Sequence, residues 1–134
     1  MNRIRLIAYF GIVCLSVPAV ADTIWVGASA AKALKRDNMK IEGMSPEGLM
    51  FRSATADRAA EPKPLKEIAR IQVDSEPALT AAELAYSTEK WDDAVRGYQK
   101  VLTTTRADWV KYFATQRLVV AAEKSGKFSA AAGA

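Results

Sequence analysis

The sequence predicts an α+β fold in which a small β segment is followed by antiparallel helix pairs. Before residue 75 the apolar residues alternate with polar ones, as in a strand with one buried face. After it they recur every three or four residues, as on one face of a helix. The final third of the chain also repeats itself at a constant offset of 37 residues. We therefore divide the chain into residues 1–21, 22–74 and 75–134.

Residues 1–21 have the pattern of a secretory signal peptide. A basic start precedes an apolar run of about 12 residues, whereas a membrane-spanning helix needs roughly 20. Small residues, Ala19 and Ala21, occupy the −3 and −1 positions of a cleavage site before Asp22. Cys14 lacks the preceding residues of a lipoprotein box. The prediction is an exported chain, periplasmic or secreted, with no membrane span after cleavage.

The composition of the mature chain excludes several kinds of chemistry. Removing the signal leaves 113 residues with 17 basic and 15 acidic side chains, a balance that does not indicate nucleic-acid binding. The single cysteine lies in the signal and the chain has no histidine. Zinc sites built on His or Cys, and Ser-His-Asp or Cys-His catalysis, are thereby excluded. We predict no catalytic residue, metal or cofactor, and an enzyme is the least favoured class.

Two local motifs that suggest chemistry have simpler explanations. Ser87–Lys90 matches the S-x-x-K of penicillin-recognising enzymes, but the other elements of that site are missing. Asp92 and Asp93 form an acidic pair at a helix start, where the helix dipole favours carboxylates.

Residues 22–74 predict short strands. Four segments are β-branched or alternate apolar with polar residues: Thr23–Val26, Met39–Glu42, Leu49–Ser53 and Ile71–Val73. Ser45–Gly48 fits a type I turn, which makes a hairpin of the second and third strands. Leu65–Ile68 predicts a tight helical turn, and Ala28–Arg36 permits either a helical turn or a loop.

This arrangement resembles the SH3-like and Sm-like small barrels. In those folds a bent hairpin is followed by a phrase such as Lys63–Ile71 that leads into the closing strand. The resemblance implies a small sheet curled into a barrel. Because about 50 residues is near the lower limit for an independent core, we expect the sheet to pack on the helical segment after it.

The helices are bounded by capping and breaking residues. Ser75 is a candidate cap and Pro77 suits a first turn. The β-branched Thr103–Thr105 predict a break, after which Asp108 is a candidate cap for the third helix. Gly126 predicts a left-handed helix end.

The repeated pattern resembles the tetratricopeptide repeat, in which small residues let two antiparallel helices pack closely. The predicted repeat core is Ala85, Trp91, Ala94 and Tyr98 in the first copy and Ala122, Phe128 and Ala131 in the second. The period of 37 exceeds the family's usual 34. Glu89 and Lys90 stand where the family often has glycine, and the fourth helix, from Phe128, is cut short. We therefore expect the chain to be a fragment of a longer repeat protein.

The resemblance implies a noncatalytic scaffold that binds another protein or a peptide. The candidate groove residues on the first helix of each pair are Thr80, Glu83 and Lys111. The family's carboxylate-clamp residues are not matched, so no ligand is carried over.

The alternative is a module that binds envelope polysaccharide or peptidoglycan through the β segment. Trp25 and a basic cluster motivate it; the cluster consists of Lys32, Lys35, Arg36 and Lys40. A solvated face explains the same lysines and arginine without any ligand.

Overall fold

The computed structural model describes residues 21–127, and this part of the chain has the predicted α+β organisation. A five-stranded antiparallel sheet precedes three helices within these residues. The strands are β1 (Asp22–Val26), β2 (Leu34–Ser45), β3 (Gly48–Ser53), β4 (Glu61–Lys63) and β5 (Ile68–Gln72). The helices are α1 (Pro77–Ser87), α2 (Trp91–Thr104) and α3 (Asp108–Ser125). None of these helices combines the length and hydrophobicity that a membrane span requires.

The predicted hairpin of β2 and β3 is confirmed. The two strands pair antiparallel up to the turn, where Ser45 lies opposite Gly48. Gly48 has a φ of +141°, and a Cβ at this position would lie 2.0 Å from the carbonyl oxygen of Lys63. Only glycine therefore fits here without moving the backbone of the neighbouring strand.

β2 is much longer than the predicted strand because it pairs with two neighbours in succession. Its first half, from Leu34 to Met39, pairs with β1, and the rest pairs with β3. The ambiguous stretch Ala28–Arg36 resolves into a short 3₁₀ turn at Ala30–Lys32 and the first residues of β2. The predicted helical turn before the last strand is a 3₁₀ turn at Leu65–Glu67.

The sheet is open, so the predicted closure into a barrel is wrong. Its strand order is β4-β3-β2-β1-β5, which leaves β4 and β5 at opposite edges. The sequence pattern does not predict β4, because Pro62 lacks the N–H that a central strand needs. In an edge strand the missing donor is tolerated.

Helical side chains satisfy the free edge of β5, where a closing strand would otherwise pair. The amide of Ile71 donates a hydrogen bond to Glu83 at 2.9 Å. The carbonyl of Ile68 accepts one from Arg117 at 2.6 Å. Because buried backbone groups need partners, these contacts replace strand pairing on that edge.

The predicted helix ends are largely confirmed. Pro77 is the first residue of α1, and α2 ends at Thr104, within the predicted break. Gly126 follows α3 with a left-handed φ of +72°. The fourth helix predicted from Phe128 lies outside the described residues.

Both predicted N-caps are wrong by one residue. Glu76 precedes α1 and Ala107 precedes α3, instead of Ser75 and Asp108. The loop between α2 and α3 is held by Thr105, whose hydroxyl accepts a hydrogen bond from the amide of Ala107 and donates one to Glu76. This threonine thus fixes the start of α3 and ties it to the start of α1.

One hydrophobic core runs through the sheet and the helices. Its fully buried side chains include Ile24, Leu49, Ile71, Leu79, Val101, Phe113 and Leu118. Within the helices, α1 and α2 come especially close at Gly97, where a Cβ would lie 2.9 Å from the Cβ of Ala82. Small residues at this contact set the distance between the two helices.

Candidate functional site

The three predicted groove residues do not form one surface. The hydroxyl of Thr80 donates to the carbonyl of Val73 and accepts from its amide, at 3.1 and 3.0 Å. Glu83 is fully buried, which contradicts its assignment to an exposed groove. Lys111 is exposed on α3, with its ammonium 3.7 Å from the carboxylate of Asp108. The physical reason is that α1 packs this face against β5 and α2.

Glu83 is the centre of a buried polar network that joins all three helices to the sheet. One carboxylate oxygen accepts the amide of Ile71, and the other accepts the hydroxyl of Tyr98 at 2.5 Å. The Nε of Arg117 lies 3.2 Å from the same oxygen as Tyr98, without hydrogen-bond alignment. The Nη2 of Arg117 donates to the carbonyl of Ile68.

The surroundings keep the protons of this network on Tyr98 and Arg117. Burial raises the pKa of Tyr98 well above 10, and the charge of Glu83 raises it further. Burial lowers the pKa of Arg117, but Glu83 and the neighbouring tyrosines outweigh it, so the net pKa is raised. The guanidinium also lies over the ring of Tyr86, 4.4 Å from its centroid. Because Glu83 is enclosed and both of its oxygens accept hydrogen bonds, this network connects the helices to the sheet.

The raised pKa of Tyr98 predicts a specific loss of stability at alkaline pH. The unfolded state ionises this tyrosine above pH 10, whereas the folded state keeps it neutral, so stability falls as pH rises from 10 towards the folded pKa. In urea unfolding at pH 8 and 10.5, Tyr98→Phe should therefore lose less stability between the two pH values than the wild type. Tyr112→Phe is the matched control because Tyr112 is exposed. An equal loss in all three proteins would contradict the prediction.

Trp25 is less available as a binding platform than the sequence suggested. Its neighbours across the sheet are Lys35 on β2 and Arg70 on β5. The guanidinium of Arg70 lies 4.5 Å from the indole centroid and the ammonium of Lys35 lies 5.8 Å away. The predicted basic cluster is exposed; its members are Lys32, Lys35, Arg36 and Lys40.

The predicted repeat core lies mostly inside the helical part. Ala94, Tyr98 and Ala122 are fully buried, whereas Ala85 and Trp91 are partly buried. Phe128 and Ala131 lie outside the described residues. Of the predicted cleavage site, Ala19 also lies outside them, Ala21 is the first described residue, and Asp22 begins β1.

Three of the five exposed large apolar side chains in residues 21–127 are on α3, and the sequence pattern does not predict this surface. Tyr112, Val119 and Val120 are 51%, 50% and 36% exposed. Tyr112 also lines a cleft of about 470 Å³ with Trp109, Met44 and Pro46, between α3 and the β2–β3 turn. The sequence signal was the seven-residue spacing of Tyr112 and Val119, which places both on one side of α3.

No set of acidic, histidine or cysteine side chains in residues 21–127 is arranged to hold a metal ion. No protein family matches the chain, and comparison with curated proteins and with solved structures gives no match either. We therefore infer function from the exposed surfaces of the chain itself.

Proposed function

We propose that the chain is an exported, noncatalytic module that binds another protein or a peptide through the exposed face of α3. We further propose that α1, α2 and α3 belong to a repeat of the tetratricopeptide type. Cleavage before Asp22 would leave every strand of the sheet whole, since β1 begins at that residue. The mature sequence has neither histidine nor cysteine, which favours binding over catalysis.

The helix ends support the repeat. After α1, the amide of Lys90 donates to the carbonyl of Ala85 at 2.9 Å, and Glu89 has a φ of +57°. After α3, the amide of Lys127 donates to the carbonyl of Ala122 at 2.8 Å, and the preceding glycine is also left-handed. Each residue and its counterpart are 37 positions apart. The same Schellman-type end thus occurs twice at the period found in the sequence.

The observation that carries the binding proposal is a difference between the two copies. At an offset of 37, Val119 and Val120 correspond to Ala82 and Glu83. In the first copy this pair is buried beneath α2, whereas both valines are exposed in the described residues. Within residues 21–127, no helix covers the face of α3 that corresponds to the face of α1 covered by α2.

An amphipathic helix is the partner that best fits this face. Helix recognition commonly uses apolar anchors on one side of a partner helix laid against a hydrophobic surface. The valines would receive such anchors, and the cleft beside Tyr112 and Trp109 offers a pocket for a larger apolar side chain. The close packing of α1 and α2 shows the type of contact that we propose.

The test is capture of binding proteins from an envelope extract by the immobilised chain. The double variant Val119→Asp/Val120→Asp should reduce the retained partner at least tenfold, because the charges must be desolvated in the interface. Leu84→Asp is the matched control, since Leu84 is 48% exposed but lies on α1; it should retain the partner. Failure of the wild type to retain any protein, or equal loss with Leu84→Asp, would refute the proposal.

A further inference from the structure

A groove of about 300 Å³ beside β3 and β4 collects basic side chains. Four cationic residues line it: Arg36, Arg52, Arg58 and Lys63. Within the described residues, Glu61 is the one carboxylate in its lining. Residues 22–74 as a whole hold nine basic and eight acidic residues. The excess of positive charge in the groove lining is therefore local and does not reflect the composition of the β segment.

Two of these cations are free to meet a ligand. Arg52 and Lys63 already lie 2.5 and 3.4 Å from carboxylates of acidic neighbours. Arg36 and Arg58 are exposed, and neither forms an ion pair with any residue in 21–127. Both line the same groove, together with the buried side chains of Met39 and Phe51.

We propose that this groove binds a carboxylated polysaccharide, with Arg36 and Arg58 contacting its carboxylates. A guanidinium presents paired donors that match the two oxygens of a carboxylate. The other polar side chains in the lining, Ser53 and Glu61, can form hydrogen bonds with the hydroxyls of a sugar ring. The site is separate from the α3 face, and it places envelope binding away from Trp25.

The groove fits a polysaccharide better than an acidic peptide or a nucleic acid. An extended peptide would add to the edge strand β4, but Pro62 offers no N–H for that pairing. Binding of single-stranded nucleic acid uses exposed aromatic rings for base stacking. The only aromatic ring lining the described groove is that of Phe51, which is 6% exposed.

The test is isothermal titration calorimetry of the full chain with oligogalacturonate, a carboxylated sugar polymer. Arg36→Gln/Arg58→Gln should weaken binding about tenfold or more, because two charge-assisted contacts are lost. Lys100→Gln/Arg106→Gln is the control; it makes the same change in net charge at exposed positions on α2 and after it. This control should bind within about twofold of the wild type, since general charge contributes only a screened, long-range attraction.

Three outcomes would overturn the inference. They are no binding of oligogalacturonate by the wild type, an equal loss in the control variant, and equally tight binding of polyglutamate or single-stranded DNA. Thermal melts of both double variants should match the wild type because all four residues are exposed. The Val119→Asp/Val120→Asp variant should bind the sugar normally, which separates this site from the one on α3.

Discussion

Replacing Glu83 with alanine should lower the free energy of unfolding by about 3–5 kcal/mol, because it leaves a buried arginine without its counter-charge. Arg117 is 5% exposed, so bulk solvent screens its charge much less than that of a surface arginine. The amide of Ile71 and the hydroxyl of Tyr98 lose their acceptor in the same step. An unpaired buried donor adds a desolvation penalty to the lost charge interaction.

Urea unfolding followed by circular dichroism measures this effect, with Glu42→Ala as the matched control. Glu42 also pairs with an arginine, but the pair is more exposed to solvent, so its loss should be below about 1 kcal/mol. Adding Arg117→Met to Glu83→Ala should destabilise by less than the sum of the single changes, because it removes the stranded charge. If Glu83→Ala lost no more stability than Glu42→Ala, the buried network would not be what holds the helices to the sheet.

Features with local causes were predictable from the sequence. The turn at Ser45–Gly48 depends on a proline and a glycine at fixed positions, and the hairpin follows from it. The break at Thr103–Thr105 and the left-handed Gly126 likewise depend on the conformational preferences of neighbouring residues. Each of these signals lies within a few residues of the structure that it produces.

Features that depend on distant partners were not predictable in the same way. Whether the sheet closes depends on what meets the edge of β5, and those side chains come from α1 and α3. The burial of Glu83 had a partial signal, because it shares a helix face with Leu79 and Tyr86. The burial of Glu83 can be predicted only if its partner, Arg117, is known to lie next to it, because a buried charge needs a partner.

The open face of α3 was missed for a related reason. Its valines fit a helix pattern, and a pattern alone does not tell which neighbour covers each face. The 37-residue offset in the sequence aligns Val119 with Ala82, which α2 covers.

Replacing Gly97 with leucine should destabilise the chain by about 3 kcal/mol, through overpacking of the contact between α1 and α2. A Cβ at Gly97 would lie 2.9 Å from the Cβ and 3.1 Å from the Cα of Ala82. Both atoms belong to or adjoin a helix backbone, so neither can swing aside. The helices would have to separate and lose contact along the core residues Ala94 and Tyr98.

The direction of the stability change in Gly97→Leu distinguishes a packed contact from a free helix surface. A glycine within a helix that touches nothing is unfavourable by roughly 0.8–1 kcal/mol relative to alanine, so leucine there would stabilise the helix. Thermal or urea unfolding of Gly97→Leu therefore distinguishes a packing contact, which lowers stability, from a free surface, which raises it. The double variant Ala82→Gly/Gly97→Ala exchanges the two small residues and keeps space at the contact. It should therefore lose less stability than the sum of the losses in the two single variants. A stabilised Gly97→Leu variant would show that α1 and α2 are not in close contact there, and the proposed repeat packing would lose its main support.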